Sequence, residues 1–178
     1  GAPYDTLFAA DAERPVRLEQ EGYALTGSRF TYAIGQLVLW SPRSDLVDGE
    51  GDVLYSGGFR RLAIANPDLA PYGQAAIQVM EALGLDQRLT DRLVRGENIA
   101  QAFQFVYSGN AELGFVARSQ LRGAGMGGSA WIVPQVHYRP IEQQAVLLTD
   151  TRAGREFMVF MRSEQARRLI REHGYGTP

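Results

Sequence analysis

The residues that say most about chemistry here are two helix entrances, not a cluster of acids and bases. Asn66-Pro67-Asp68-Leu69-Ala70-Pro71-Tyr72-Gly73-Gln74 follows one short apolar strand pattern, and Gly96-Glu97-Asn98-Ile99-Ala100-Gln101 follows another. The first turn of a helix has backbone N–H groups with no intrahelical acceptor, and the positive end of the helix dipole lies there. Such an entrance holds an anion without a cationic side chain. Gly73 removes side-chain bulk beside Tyr72, which lets a ligand approach the backbone closely. Glu97 offsets Arg95, leaving N–H groups as the donors of the second entrance. Both helices begin in the central part of the chain, so they can converge on one cleft.

Other chemistry is poorly supported. Gly123-Ala124-Gly125-Met126-Gly127-Gly128 matches G-x-G-x-x-G literally, but the fingerprint needs a strand before it and a helix after it. Ser129 to Pro134 reads as a strand, so a flexible loop is expected. Asp48-Gly49-Glu50-Gly51-Asp52 alternates carboxylates as a calcium loop does. Val53 stands where the loop glycine belongs and Phe59 where a bidentate Glu is needed, so an exposed turn is expected. His137 and His173, the only histidines, sit in neither metal-ligand spacing nor a nucleophile elbow. There is no cysteine, which removes thiolate chemistry and disulfides. No enzyme is expected, no metal held directly by side chains, and no cofactor.

The 178 residues are 45% hydrophobic and 21% charged, the composition of an ordinary packed globular chain. Eighteen Lys and Arg against twenty Asp and Glu leave a net charge of -2, with no basic excess for nucleic acid. The basic run Arg162 to Arg171 is interrupted by Glu164, Leu169 and Ile170 and reads as the solvated face of a terminal helix. No apolar run is long enough to cross a bilayer as a helix.

Short apolar strands alternate with helical patterns, which argues for an α/β fold with largely parallel strands. Strands are expected at 6–9, 30–40, 62–65, 92–94, 113–117, 131–133 and 143–148. Pro15 suits the first position of a short helix ending at Gly22. Ala76, Val79, Met80 and Leu83 recur at helical spacing from Gly73 until Gly84, and Ile99, Ala102, Phe103 and Val106 do so from an Asn98 N-cap until Gly109. Two further helical patterns surround Phe157, Phe160 and Met161, and Ala166, Leu169 and Ile170. The stretch 30–40 is long for one strand and holds Gly35 near its middle, as expected of a strand leaving one lobe for another. Val136 to Ile141, interrupted by Pro140, is a second crossing candidate. The division expected is lobe I at 1–35 and 137–178, with lobe II at 36–136.

A set of ordered matches then gives the chain a family resemblance. They are Gly1-Ala2-Pro3-Tyr4-Asp5 with Phe8-Ala9-Ala10-Asp11, Gly27-Ser28-Arg29-Phe30-Thr31-Tyr32-Ala33-Ile34-Gly35, Leu37-Val38-Leu39-Trp40, and Asn66-Pro67 with Ala70-Pro71-Tyr72-Gly73. Gly114-Phe115-Val116-Ala117, Pro140-Ile141 with Gln143-Gln144-Ala145-Val146, and Gly174-Tyr175 complete them. The chain resembles the periplasmic molybdate-binding proteins of ABC uptake systems over essentially its whole length.

The resemblance implies a type II periplasmic binding protein: two α/β lobes, joined by two strand crossovers, that close over one tetrahedral oxyanion. It implies that Tyr72 and Ile99 contact the ligand, chiefly through backbone N–H, with Gly73 and Asn98 as secondary candidates. Some family members add a tyrosine hydroxyl from the segment written here Phe115-Val116-Ala117. Ala117 stands there in this chain, so main-chain donors and hydroxyls elsewhere are expected to carry the pocket. Family members open with a strand-helix-strand unit before the Gly-Ala-Pro segment, on the order of 30 residues. Without it lobe I is expected to be incomplete, with half the oxyanion shell missing.

The function expected from the resemblance is a periplasmic, monomeric solute-binding protein for molybdate and tungstate that delivers its cargo to a membrane permease. A receptor for sulfate or phosphate on the same architecture is the alternative within binding proteins. The effector-sensing domain of a transcription regulator is the alternative outside them.

Overall fold

In the computed structural model, which describes residues 3–178, strands and helices succeed one another in the order β1 (Thr6–Ala9), α1 (Glu13–Gln20), β2 (Phe30–Gly35), β3 (Leu37–Ser41), α2 (Val53–Ser56), β4 (Leu62–Ala65) and α3 (Pro71–Ala82). There follow α4 (Asp86–Leu89), β5 (Leu93–Gly96), α5 (Ile99–Tyr107), β6 (Leu113–Ala117), α6 (Arg118–Ala124), β7 (Ser129–Ile132), β8 (Ile141–Leu147), α7 (Arg152–Met161) and α8 (Glu164–Glu172). Gly1 and Ala2, the first two residues of the family match, lie outside the described residues.

The chain divides into two units, one of 1–35 and 141–178, the other of 36–140. The first division falls between Gly35 and Gln36, inside the stretch 30–40, which is two strands and not one. The second falls at Pro140/Ile141 instead of 136/137. Residues 135–137 form a 3-10 turn that belongs with the central unit. Tyr138, just beyond it, is buried, and its hydroxyl accepts from the Leu37 N–H at 3.2 Å, while the Arg139 N–H donates to Gln78 Oε1 at 2.8 Å.

The terminal unit is a three-stranded sheet of order β1-β8-β2, antiparallel throughout. Ala145, Leu147 and Met158 form its core, with Phe8, Leu25, Phe30 and Tyr32 against them. The tail closes one edge through reciprocal main-chain hydrogen bonds of 2.8 Å between Ile34 and Gly176. Helix α8 is capped by the Ser163 hydroxyl, and its basic face is matched by Arg168–Glu172 and Arg171–Glu164 ion pairs, as a solvated face requires.

The central unit is a five-stranded sheet of order β5-β4-β6-β3-β7. Only β4–β5 and β4–β6 are parallel, so the expectation of largely parallel strands fails. Parallel neighbours need a crossover element between them, and only the β4–α3–β5 and β5–α5–β6 successions put a long helix there. The two crossovers run in opposite directions along the sheet, so their right-handedness puts α3 and α5 on opposite faces. Strands covered on both faces are nearly continuous apolar runs, and every residue of β3, β4 and β6 is buried, Ser41 at the end of β3 included. Val38, Trp40, Ala63 and Val116 share one core cluster with Val106 of α5, while alternation turns Leu37, Leu39, Leu62, Ile64 and Phe115 to the other face.

Candidate functional site

Both helix entrances lie at one edge of the central sheet. Parallel register pairs Ala65 with Gly96, the last residues of β4 and β5, and the Asn66 N–H donates to the Gly96 carbonyl at 2.6 Å. Helices α3 and α5 therefore start from loops that leave neighbouring strand ends and are tied together where they leave. In α/β sheets the carboxyl edge of parallel strands is where ligands bind.

Helix α3 begins on an extended Ala70, which has no side chain to cap it, and Pro71 occupies the first helical position. Proline has no N–H, so the first N–H of this helix is that of Tyr72, a residue only 5% exposed. Gly73 is pressed against the strand end before it. Its N–H donates to the Ala70 carbonyl at 2.9 Å, and a Cβ on it would lie 2.3 Å from the Ala65 carbonyl oxygen and 2.8 Å from Asn66 C and Pro67 N. The glycine lets the helix sit against the loop that precedes it, and so sets where Tyr72 stands.

Helix α5 is capped from its own sequence. Asn98 is extended, and its Oδ1 accepts from the Gln101 N–H at 3.0 Å, as the sequence predicts for an N-cap. Gln101 reaches back, its Oε1 accepting from the Glu97 N–H at 2.6 Å, a variant of the reciprocal capping box. The Ala102 N–H goes to the Asn98 carbonyl at 3.1 Å. What remains at the mouth of the helix is the N–H pair of Ile99 and Ala100, which precede the first intrahelical bond. Ile99 is half-buried and Asn98 exposed. Gly96 gives this helix close access to its strand, since a Cβ there would meet Ala102 N at 2.7 Å.

A residue that sequence reasoning missed joins this entrance to the end of β6. Gln120, in α6, donates from Nε2 to the Ile99 carbonyl at 3.1 Å and accepts at Oε1 from the Ala117 N–H at 2.9 Å. Beside it Arg118 binds Gln36 twice, its N–H to the carbonyl at 2.9 Å and its guanidinium to Oε1 at 2.6 Å. The Asn98-x-x-Gln101 cap was readable as a motif. Gln120 was not: its bond to the Ala117 N–H is a local cap of α6, three residues apart, but the Ile99 carbonyl is a main-chain atom 21 residues away.

The remaining motifs are structural. The glycine run ends α6 with Gly125 in a left-handed conformation and then enters β7, the reverse of the strand-to-helix order of a dinucleotide fingerprint. Part of it is therefore helix and not the flexible loop expected. Asp48 Oδ1 accepts from the N–H groups of Glu50, Asp52 and Gly51, and those bonds hold its carboxyl below the usual range. The carboxylate is occupied by its own turn. His137 packs on Trp131 with ring centres 6.2 Å apart, and His173 Nδ1–H donates to the Leu169 carbonyl.

A polar depression of about 320 Å³ lies at the other edge of the same sheet, lined by Arg60, Arg61, Gly109, Asn110 and Glu112 just before β4 and β6 begin. Burial pushes the Glu112 carboxyl up, but hydrogen bonds from the Arg61 N–H and the Arg60 guanidinium outweigh it and leave it ionised, below the usual range.

Comparison with known proteins shows what the chain is similar to. A family model described as bacterial extracellular solute-binding protein matches residues 1–176. The chain is 49% identical to a molybdate-binding protein ModA of Azotobacter vinelandii, an alignment covering 99% of this chain and 72% of that one. It is 47% identical to the protein of the same name from Rhodobacter capsulatus, over 99% and 71%. A solved structure titled Azotobacter vinelandii periplasmic molybdate-binding protein superposes with a TM-score of 0.89 and 45% identity, covering all of this chain and 80% of that one.

Proposed function

From the premise that this chain belongs to the bacterial extracellular solute-binding proteins, within their molybdate-binding ModA group, we propose that it captures molybdate, and tungstate with it, in the periplasm for delivery to the permease of an ABC importer. The observation that carries the reading is the pair of helix entrances. Two helices of twelve and nine residues start from adjacent, hydrogen-bonded strand ends and present main-chain donors on one edge of the sheet.

Tyr72 and Ile99 are the contacts we assign to the ligand, with Ala100 as neighbour to Ile99. Asn98 and Gly73 act at one remove, Asn98 by fixing the first turn of α5 and Gly73 by seating α3. A doubly charged tetrahedral oxyanion loses its hydration on binding. Aligned, charge-assisted N–H hydrogen bonds, roughly twice as strong as neutral ones, offset that cost. Main-chain donors suit a transport protein because they add no titrating group at neutral pH. No bond is made or broken, and the protein acts by capture and release.

Sulfate has the same charge and shape as molybdate and differs in size, so discrimination rests on the spacing of the donors. Identity of 47–49% to molybdate-binding proteins supports molybdate over sulfate as the preferred cargo. Isothermal calorimetry of the full-length protein against molybdate, tungstate and sulfate tests this. The expected order is molybdate and tungstate together, with sulfate weaker. Tighter binding of sulfate than of molybdate overturns the reading.

A further inference from the structure

We infer that Gln120 is a positioning residue for the oxyanion, holding the first turn of α5 in the orientation that aims its N–H groups. The inference rests on the oxyanion reading above and adds to it a residue that touches no ligand.

Three observations combine. First, both functional ends of the Gln120 side chain are engaged by main-chain atoms, Nε2 by the Ile99 carbonyl and Oε1 by the Ala117 N–H. A primary amide satisfied at both ends has one orientation and makes a rigid link. Second, the two atoms that it joins belong to the elements flanking the carboxyl edge. Ile99 opens α5, and Ala117 is the last residue of β6, which antiparallel pairing holds against Leu37. Third, the Ile99 carbonyl and the Ala100 N–H are opposite ends of one peptide group. A hydrogen bond donated to the carbonyl fixes that plane, and it polarises the group so that its N–H becomes a stronger donor.

The Asn98 and Gln101 cap is internal to the loop and helix, so it cannot by itself fix where the helix points relative to the sheet. Packing of Val106 on the sheet holds the body of α5, and Gln120 adds a hydrogen-bonded link from the first turn of the helix to the end of β6. Its own base is secured next door, where Arg118 grips Gln36 at the start of the central unit.

The test uses Gln120→Met, which keeps side-chain length without hydrogen bonding, and Gln120→Ala as a second variant. Three quantities are read for each: the molybdate dissociation constant, the thermal midpoint without ligand, and amide hydrogen exchange at Ala102, Phe103 and Ala117 without ligand. Both variants are expected to bind molybdate about tenfold more weakly, the effect of one hydrogen bond, with a midpoint within a few degrees of wild type. Exchange at Ala102, Phe103 and Ala117 is expected to quicken, while amides in the middle of α3 stay as they were. Affinity within twofold of wild type overturns the inference, as does a fall in affinity that merely tracks a large fall in midpoint. If the wild-type protein binds no tetrahedral oxyanion, the proposed function fails, and exchange alone then decides the role of Gln120. Faster exchange supports the link, and unchanged exchange refutes it.

Discussion

Replacing Gly73 by alanine separates the seat of α3 from its intrinsic helicity. The new Cβ would stand 2.3 Å from the Ala65 carbonyl oxygen, with Asn66 C and Pro67 N at 2.8 Å. An ordinary carbon–oxygen approach is roughly 3.3 Å, so the first turn of α3 must retreat by about 1 Å. All three obstructing atoms are backbone and cannot rotate away. Overpacking of this kind costs about 1–3 kcal/mol, and the better helix propensity of alanine returns about 1 kcal/mol. Because all three obstacles are fixed, the cost lies in the upper half of that range, so the net loss is about 1–2 kcal/mol, or roughly 4–16 °C in the midpoint of a unit this size. Binding suffers separately, because Tyr72 moves with the turn. Loss of one charge-assisted hydrogen bond, about 1.5–3 kcal/mol, weakens molybdate roughly ten- to a hundredfold. Gly123→Ala is the control, since Gly123 lies in α6 with nothing within 4 Å of its Cβ position and should be neutral or slightly stabilising. Differential scanning calorimetry and titration calorimetry on the two variants give both numbers. A Gly73→Ala protein with wild-type midpoint and wild-type affinity would refute the reasoning.

Asn98→Ala removes the α5 cap and should cost about 1 kcal/mol in stability with a several-fold weaker molybdate affinity, measured by denaturant melts and calorimetry. Gly128→Ala meets the Ser41 carbonyl at 2.1 Å from a φ of 107°, so it should lower the midpoint more than Gly73→Ala does while leaving the affinity of the folded fraction unchanged. Tyr32, its hydroxyl bonded to Gln143, has its pKa pushed up to about 12 by burial, with Tyr175 adding to the effect. The folded state then keeps its proton while the unfolded chain, with tyrosine near 10, loses it. Stability from this group is therefore level below about pH 10 and falls as pH rises above that value. Tyr32→Phe should flatten the alkaline decline in a melt series from pH 9 to 11, and an unchanged slope would contradict the assignment.

Local signals read from the sequence were dependable where a single element carried them. Strands β1, β4 and β6 fall where expected, Asn98 caps α5, and Gly84, Gly109 and Gly174 close helices at positive φ. Failures occurred where partners are remote. The pairing of β3 and β8 depends on which unit each strand joins, so a parallel sheet was expected and a mixed one formed. Helix α6 was missed because its sequence is glycine-rich at the end and its anchoring contacts, from Gln120 to Ile99 and Arg118 to Gln36, are tertiary. At the site, the two entrances were visible as loop-to-helix patterns. The tie between them, Asn66 to Gly96, and the close seat of Gly73 are products of strand register that no motif encodes.

The claim that main-chain donors at two neighbouring helix entrances hold the oxyanion is tested most directly by amide NMR of the full-length, isotopically labelled protein titrated with molybdate. The Tyr72, Ile99 and Ala100 N–H signals should move downfield on binding and become protected from exchange, with those around Arg60, Arg61 and Glu112 unmoved. Stoichiometric molybdate binding that leaves the Tyr72, Ile99 and Ala100 amides where they were would contradict it.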